Sequence, residues 1–212
     1  MPQPLLSSWP DQLTHFRRAL NPHPPRMTSG PEHGHGAVAL ILRPGPQGAE
    51  ILYIERAAHP RDPWSGDLAF PGGRIDPEDG GIRQAAERET YEEIGLDLRD
   101  ADYLGGLDDI VGAHLPVRVS CCVYALPEGK NPPLRRNHEV SDVFYMPLDK
   151  LRAPARHIIT RIDWNRAPRE TPALTLLPGN RPLLWGITYR LTTQLLNRIG
   201  LPLLPPNVVS AG

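Results

Sequence analysis

Apolar positions fall in two kinds of pattern along this chain. Leu13, Phe16 and Leu20 recur at helical spacing behind Asp11, a helix-capping residue type, and predict a helix over 9–20. The apolar runs AVALILR (37–43) and EILYIER (50–56) flank the turn-forming RPGPQG and predict a β-hairpin. A loop over 57–66 leads into LAFPGG, where Gly72-Gly73 predicts a second loop, bare of side chains. A helical block over 82–94 then stops at Gly95, the residue type that best closes a helix. Strands are predicted over 103–109, 117–126 and 143–146, with weaker ones near 157–163 and 173–176. Leu184, Ile187, Leu191, Leu195 and Ile199 predict a closing helix from about Trp185. Strands before and after one central helix predict an α/β fold, a mixed β-sheet packed between helices. The expected organisation is an N-terminal helix with a Pro-rich extension (1–34), one domain (35–200) and a tail (201–212).

The central helix carries the first chemical signal. With Ile82 at zero on a helical wheel, Ala85 and Ala86 share its stripe, and so do Glu89 and Glu93, with Glu92 at the edge. Like charges three and four residues apart destabilise a helix, and burying an unpaired ion costs several kcal/mol more. A solvated acidic face accounts for Glu87 on the opposite side and accounts poorly for Glu89 and Glu93. A divalent cation offsets both penalties, and a donor set of carboxylates without Cys or His points to Mg²⁺ or Mn²⁺. Upstream, the absence of side chains at Gly72-Gly73 lets backbone groups approach a metal or phosphate.

Composition narrows the setting. Lys and Arg number 23 against 24 Asp and Glu, a net charge of −1, so no broad basic surface for nucleic acid is expected. The longest apolar run, 37–42, falls far short of the ~20 residues of a membrane span. No signal peptide is visible at the start, and the two cysteines, Cys121 and Cys122, are adjacent, which disfavours a structural disulfide. A cytoplasmic setting is the simplest expectation. Proline is the outlier at 26 of 212 residues, roughly twice the usual ~5%, and predicts long, stiff loops on a folded core.

Residues 73–96, GRIDPEDGGIRQAAERETYEEIGL, resemble the box of the Nudix hydrolases, G-x5-E-x7-R-E-U-x-E-E-x-G-U. Arg88, Glu89, Glu92, Glu93, Gly95 and Leu96 match; Thr90 stands where an aliphatic residue is usual. Asp79 takes the place of the first Glu, with one extra residue before Arg88 and Glu78 as the alternative for its role. The resemblance implies a Nudix-like α/β/α sandwich in which the box forms a catalytic loop–helix–loop. It also implies metal-dependent hydrolysis of a nucleoside diphosphate linked to another group. Carried over to this chain, Glu89, Glu92, Glu93 and the Gly73 carbonyl are metal ligands, and Arg88 pairs with an acidic residue of the box. Glu139, ahead of a strand, takes the place of a further metal ligand or general base, or is an exposed loop residue.

The stretch from Leu52 to Gly73, LYIERAAHPRDPWSGDLAFPGG, resembles the signature of the coenzyme A pyrophosphatase branch, LLTxRSAx3Rx3Gx3FPGG. Arg56, Ala58, Gly66 and Phe70-Pro71-Gly72-Gly73 fall in place, whereas the second Arg position holds Asp62, with Arg61 one residue earlier. RPLLWGITYRLTTQLL resembles the C-terminal W-G-x-T helix of that branch. The implied reaction cleaves coenzyme A or its thioesters to 3′,5′-ADP and a phosphopantetheine. The alternatives are ADP-ribose, NADH or a nucleoside triphosphate as substrate, or a non-catalytic nucleotide-binding protein of Nudix fold. Candidate substrate contacts are Arg56, Arg61, Gly72, Gly73 and Arg74, with Arg135 and Arg136 as further phosphate-binding cations. His33 and His35 are expected to be solvent-exposed and Trp64 to pack within its loop. A homodimer is compatible with the sequence without being indicated by it.

Overall fold

In the computed structural model, residues 8–21, 24–28, 34–60, 62, 64–112, 117–164 and 167–203 are described. The predicted hairpin is β1 (Gly34–Gly45) and β2 (Gly48–Arg56), paired antiparallel from Leu42↔Ile51 to Gly45↔Gly48. β1 also runs parallel to β6 (Val117–Ala125), which pairs antiparallel with β5 (Asp102–Val111). On the other side β2 carries β3 (Leu68–Ala69) and β7 (Val140–Pro147). β4 (Gly72–Arg74) pairs with the N-terminal part of β1. The result is the expected mixed sheet, here of seven strands.

Period-two side chains divide the interior between the two faces of this sheet. Leu40, Leu42, Ile51, Tyr53, Cys121 and Val123 lie on one side, beneath α1 (Trp9–Leu20) and α4 (Gly186–Arg198). Ala37, Ala39, Ile41, Leu52, Ile54, Cys122 and Tyr124 lie on the other, beneath α2 (Ile82–Ile94). The architecture is the α/β/α sandwich that the sequence predicts. Cys121 and Cys122 are both free and buried on opposite faces. α1 buries Trp9, Phe16 and Leu20 in the first of these cores, so this helix is packed on the sheet.

Proline-rich residues 24–28 lie along the outer edge of β5. The Asp109 N–H donates to the Arg26 carbonyl at 3.0 Å, and the Arg26 and Thr28 N–H groups donate to the carboxylates of Asp108 and Asp109, each at 2.9 Å. α4 adds Gln194, whose side chain exchanges hydrogen bonds with the Asp108 backbone, and Arg190 and Arg198, which donate to the Val111 and Gly106 carbonyls.

Two expectations are corrected. Gly72-Gly73 belongs to β4 rather than to a loop, because glycine alone permits its approach to β1. At Gly72 (φ 150°) a Cβ would lie 2.3 Å from the Ala37 carbonyl oxygen. The last strand is β9 (Ala167–Leu174), six residues ahead of the expected start, paired along its length with β8 (His157–Trp164) and bridged at its end, through Leu174, to Leu184. Its prolines 168 and 172 argue against a strand, yet a two-stranded ribbon leaves each strand one free edge that proline tolerates. α3 (Leu148–Leu151) is a single turn after β7.

Candidate active site

α2 is short of ordinary helix-stabilising features. It has no side-chain N-cap, and no basic residue lies in its last turn. Packing holds it instead, through Ala85, Ala86 and Ile94 against the sheet, and Gly95 (φ 67°) closes it in the left-handed conformation. Thr90 stands at the aliphatic position and is fully buried; its hydroxyl donates to the Ala86 carbonyl at 2.7 Å, so the polar group is satisfied within the helix. The solvated reading of Glu87 is corrected: it accepts from Arg83 at 2.8 Å and from the Tyr124 hydroxyl at 3.1 Å and is half-buried.

Glu93 is buried at 2% exposure, and its Oε2 accepts the Gly72 N–H at 2.8 Å. Burial pushes its pKa up to about 8, against the opposing pull of that hydrogen bond and of Arg56, and Glu89 and Glu139 push it further upward. Burial likewise raises the Glu89 carboxyl, again with Glu139 adding to the effect. A Cβ on Gly73 would lie 2.4–2.5 Å from the Glu89 carboxylate, so the missing side chain is what lets this carboxylate lie against β4. Glu139, exposed just ahead of β7, thus acts electrostatically on both, while its carbonyl accepts the Ala57 N–H at 2.7 Å. Glu92 faces outward.

Arg88 ties the box together. Its Nε and Nη2 donate to the two Asp79 oxygens at 3.0 and 2.9 Å, and Nη2 also donates to the Arg74 carbonyl at 3.1 Å. Nη1 reaches Glu89 at 3.0 Å and Glu92 at 3.3 Å. This fork holds Asp79 below the usual carboxylate range, and Glu78 is exposed. Of Asp79 and Glu78 it is therefore Asp79 that pairs with Arg88, and the extra residue before the helix is absorbed in the loop.

Gly72, Gly73 and Arg74 also line a cleft of about 600 Å³ that opens on the α4 side of the sheet, together with Arg56, Trp64, Asp67, Phe70, Thr171, Pro172 and the first turn of α4. Arg56 ends β2 and is held by Asp62, which accepts from its Nε at 2.9 Å and its Nη2 at 2.7 Å. Asp67 accepts the indole N–H of Trp185 at 3.0 Å, and burial raises its pKa to about 6. Sequence reasoning did not single out Asp62, Asp67 or Trp185 as site residues; Asp67 and Trp185 are 118 positions apart, and only the folded chain brings them together.

His35 is half-buried at the cleft, which corrects the expectation of exposure. Its Nε2 meets the Ser120 hydroxyl at 2.8 Å and its Nδ1 the Arg118 guanidinium at 2.8 Å, and burial lowers its pKa. Trp64 is a cleft wall rather than packing confined to its own loop. Arg135 does not line this cleft; it is exposed at the end of α2, where its backbone N–H donates to the Ile94 carbonyl at 2.8 Å. Arg136 is exposed, and Arg61 and His33 lie outside the described residues.

The donor set fits a hard divalent cation. Carboxylates at Glu89 and Glu93 are desolvated beside a backbone that has no Cβ at Gly73, and a cation there would offset the burial of their charge. Among the described residues no three acidic, His or Cys side chains stand already gathered about one point.

Comparison with known proteins agrees with this geometry. A NUDIX domain model matches residues 33–165. "Probable nudix hydrolase C6G9.05" of Schizosaccharomyces pombe is 31% identical over 202 residues, covering 89% of this chain and 65% of that protein. "Uncharacterized Nudix hydrolase NudL" of Photorhabdus laumondii is 29% identical over 193 residues, covering 89% of this chain and 96% of the relative. This chain thus spans less than two thirds of the S. pombe relative and nearly all of NudL. The crystal structure of a MutT/nudix family protein from Enterococcus faecalis shares the fold, with a TM-score of 0.54 and 16% identity over 92% of this chain and 75% of that one. The box around Arg88, the cleft beside it and the match over 33–165 lead to one assignment: this chain belongs to the Nudix family.

Proposed function

We propose that this protein hydrolyses the diphosphate bond of coenzyme A or its thioesters, yielding 3′,5′-ADP and the (acyl-)phosphopantetheine, with Mg²⁺ or Mn²⁺ as cofactor. The observation that carries a diphosphate hydrolase is the pair of desolvated carboxylates, Glu89 and Glu93, set behind the two glycines that also line the cleft. Glu89, Glu92, Glu93 and the Gly73 carbonyl would hold the cation. When bound, it supplies charge neutralisation at the phosphate oxygens and lowers the pKa of a water nucleophile.

The chain's own residues do the rest. Arg88 holds the box loop through Asp79 and keeps Glu89 and Glu92 on one side of the helix. Glu139, ahead of β7 and electrostatically linked to Glu89 and Glu93, is the candidate to take the proton from water in the attack on phosphorus. Arg56 and Arg74 face the cleft with donors for phosphate oxygens. Coenzyme A is supported by the signature around Arg56 and Phe70-Pro71-Gly72-Gly73. A second reading, another nucleoside diphosphate derivative such as ADP-ribose or NADH, is favoured by Asp62, which stands where that signature has Arg and engages the Arg56 guanidinium.

A substrate panel with Mg²⁺ or Mn²⁺ decides between them. Coenzyme A, acetyl-coenzyme A, dephospho-coenzyme A, ADP-ribose, NADH and nucleoside triphosphates would be incubated with wild type and Glu93→Gln, and the products separated by chromatography. Release of 3′,5′-ADP by wild type alone is expected. Cleavage of only another panel member removes coenzyme A, and no turnover by folded protein removes the hydrolase.

A further inference from the structure

Both ends of the segment after β2 are pinned: the Arg56 N–H donates to the Asp67 carbonyl at 3.0 Å, and the Ala57 N–H to the Glu139 carbonyl at 2.7 Å. Inside it, turns follow one another closely. The backbone N–H of Asp62 donates to the His59 carbonyl at 3.0 Å, that of Ser65 to the Asp62 carbonyl at 3.1 Å and that of Asp67 to the Trp64 carbonyl at 3.0 Å. At the centre of these turns the Asp62 carboxylate reaches two walls of the cleft. Oδ2 takes both Arg56 donors, and Oδ1 accepts the Trp64 backbone N–H at 3.0 Å. The pair is only partly exposed, at 26% for Arg56 and 17% for Asp62.

The geometry points to Asp62 as a positioning residue, which acts through Arg56 and Trp64 and sets the orientation of both before a ligand arrives. The inference rests on the reading of the cleft as a nucleoside diphosphate site. Physically, a free arginine side chain at a cleft mouth loses rotamer freedom when it grips a phosphate. With Nε and one Nη2 hydrogen committed to Asp62, that loss is already incurred in the folded protein. The Nη1 hydrogens and the second Nη2 hydrogen stay available in a fixed direction. The carboxylate also keeps Trp64, through its backbone, in the same turn as the arginine.

The test is a double-mutant cycle in full-length protein, with ADP as the probe and affinity read by calorimetry in EDTA. Asp62→Asn removes the charge from Arg56 while leaving an acceptor for the Trp64 N–H. Arg56→Gln removes the guanidinium. Each single variant is expected to weaken ADP about tenfold, and the double variant to bind no worse than Arg56→Gln alone. Thermal unfolding of Asp62→Asn keeps any general loss of structure in view, and Asp62→Glu serves if Asn fails to fold. Wild-type affinity in Asp62→Asn, full additivity in the double variant, or no ADP binding by wild type overturns the role. Turnover on the substrate panel is scored separately. An inactive protein with an intact binding cycle rejects the hydrolase while leaving Asp62 its role.

Discussion

At the scale of single residues, Glu93 concentrates the tension of the site. A carboxyl raised to about 8 keeps in the folded protein a proton that the unfolded chain gives up near 4.5. Its contribution to stability is therefore complete below about 4.5 and is lost as pH rises through about 8. Glu93→Gln retains an acceptor for the Gly72 N–H and removes the titration. In EDTA, the stability of the variant relative to wild type is expected to rise by about 2 kcal/mol between pH 6 and pH 8.5, by urea denaturation. Mn²⁺ at pH 8.5 is expected to stabilise wild type and to do much less for the variant, and equal responses would take Glu93 out of the cation site. Gly73→Ala is a complementary probe. Its new methyl displaces the Glu89 carboxylate, so the Mn²⁺-induced thermal shift is expected to shrink while far-UV circular dichroism is unchanged.

At the scale of elements, the legible parts were those whose signal is local. The helices over 9–20 and 82–94 fall within the predicted bounds because the apolar stripes keep their period and Gly95 marks a stop; the first helix is capped not by Asp11, as the sequence suggested, but by Ser8, whose hydroxyl accepts the Asp11 N–H at 3.3 Å. Arg88, Glu89 and Glu93 were legible for the same reason, since one helix places them together. β4 was not, because its strand character comes from pairing with β1 and not from its own Gly72-Gly73. β9 was misplaced because propensity counts Pro168 and Pro172 against a strand without knowing which edge is free. Asp67 with Trp185 and Asp62 with Arg56 required the tertiary path of the chain. Gly95 gives this scale its own test. Gly95→Ala meets an unfavourable φ of 67° and the Arg135 Cβ at 3.3 Å, and is expected to cost about 1 kcal/mol in chemical denaturation. The loop over 135–139 leans on this helix end, with the Asn137 N–H donating to the Glu93 carbonyl at 2.8 Å, so the substitution is also expected to perturb Glu139.

At the scale of the molecule, the sheet has two interiors that serve different ends. Beneath α2 the interior supports the carboxylates; beneath α1 and α4 it supports the cleft. Phe16, fully buried, links the first helix to the second of these. Phe16→Ala is expected to destabilise the whole protein by about 3–5 kcal/mol, read as one cooperative urea transition. A separate early transition confined to the N-terminal helix would show instead that 1–34 is an independent appendage. No described helix is long and apolar enough to cross a membrane.

The segment over 24–28 along β5 bears on a property unrelated to turnover. An outermost strand with bare amides and carbonyls is a template on which another molecule can add its own strand, the first step of aggregation. Here Asp109, Gly106 and Val111 spend those groups on Arg26, Arg198 and Arg190, and Pro24 and Pro25 precede the contact with chain that has no N–H to offer. Part of the unusual proline content thus acts as colloidal protection. A concentrated solution should stay clear so long as this segment remains in place, and replacing residues 24–28 by a glycine–serine stretch of equal length should bring turbidity before it brings unfolding.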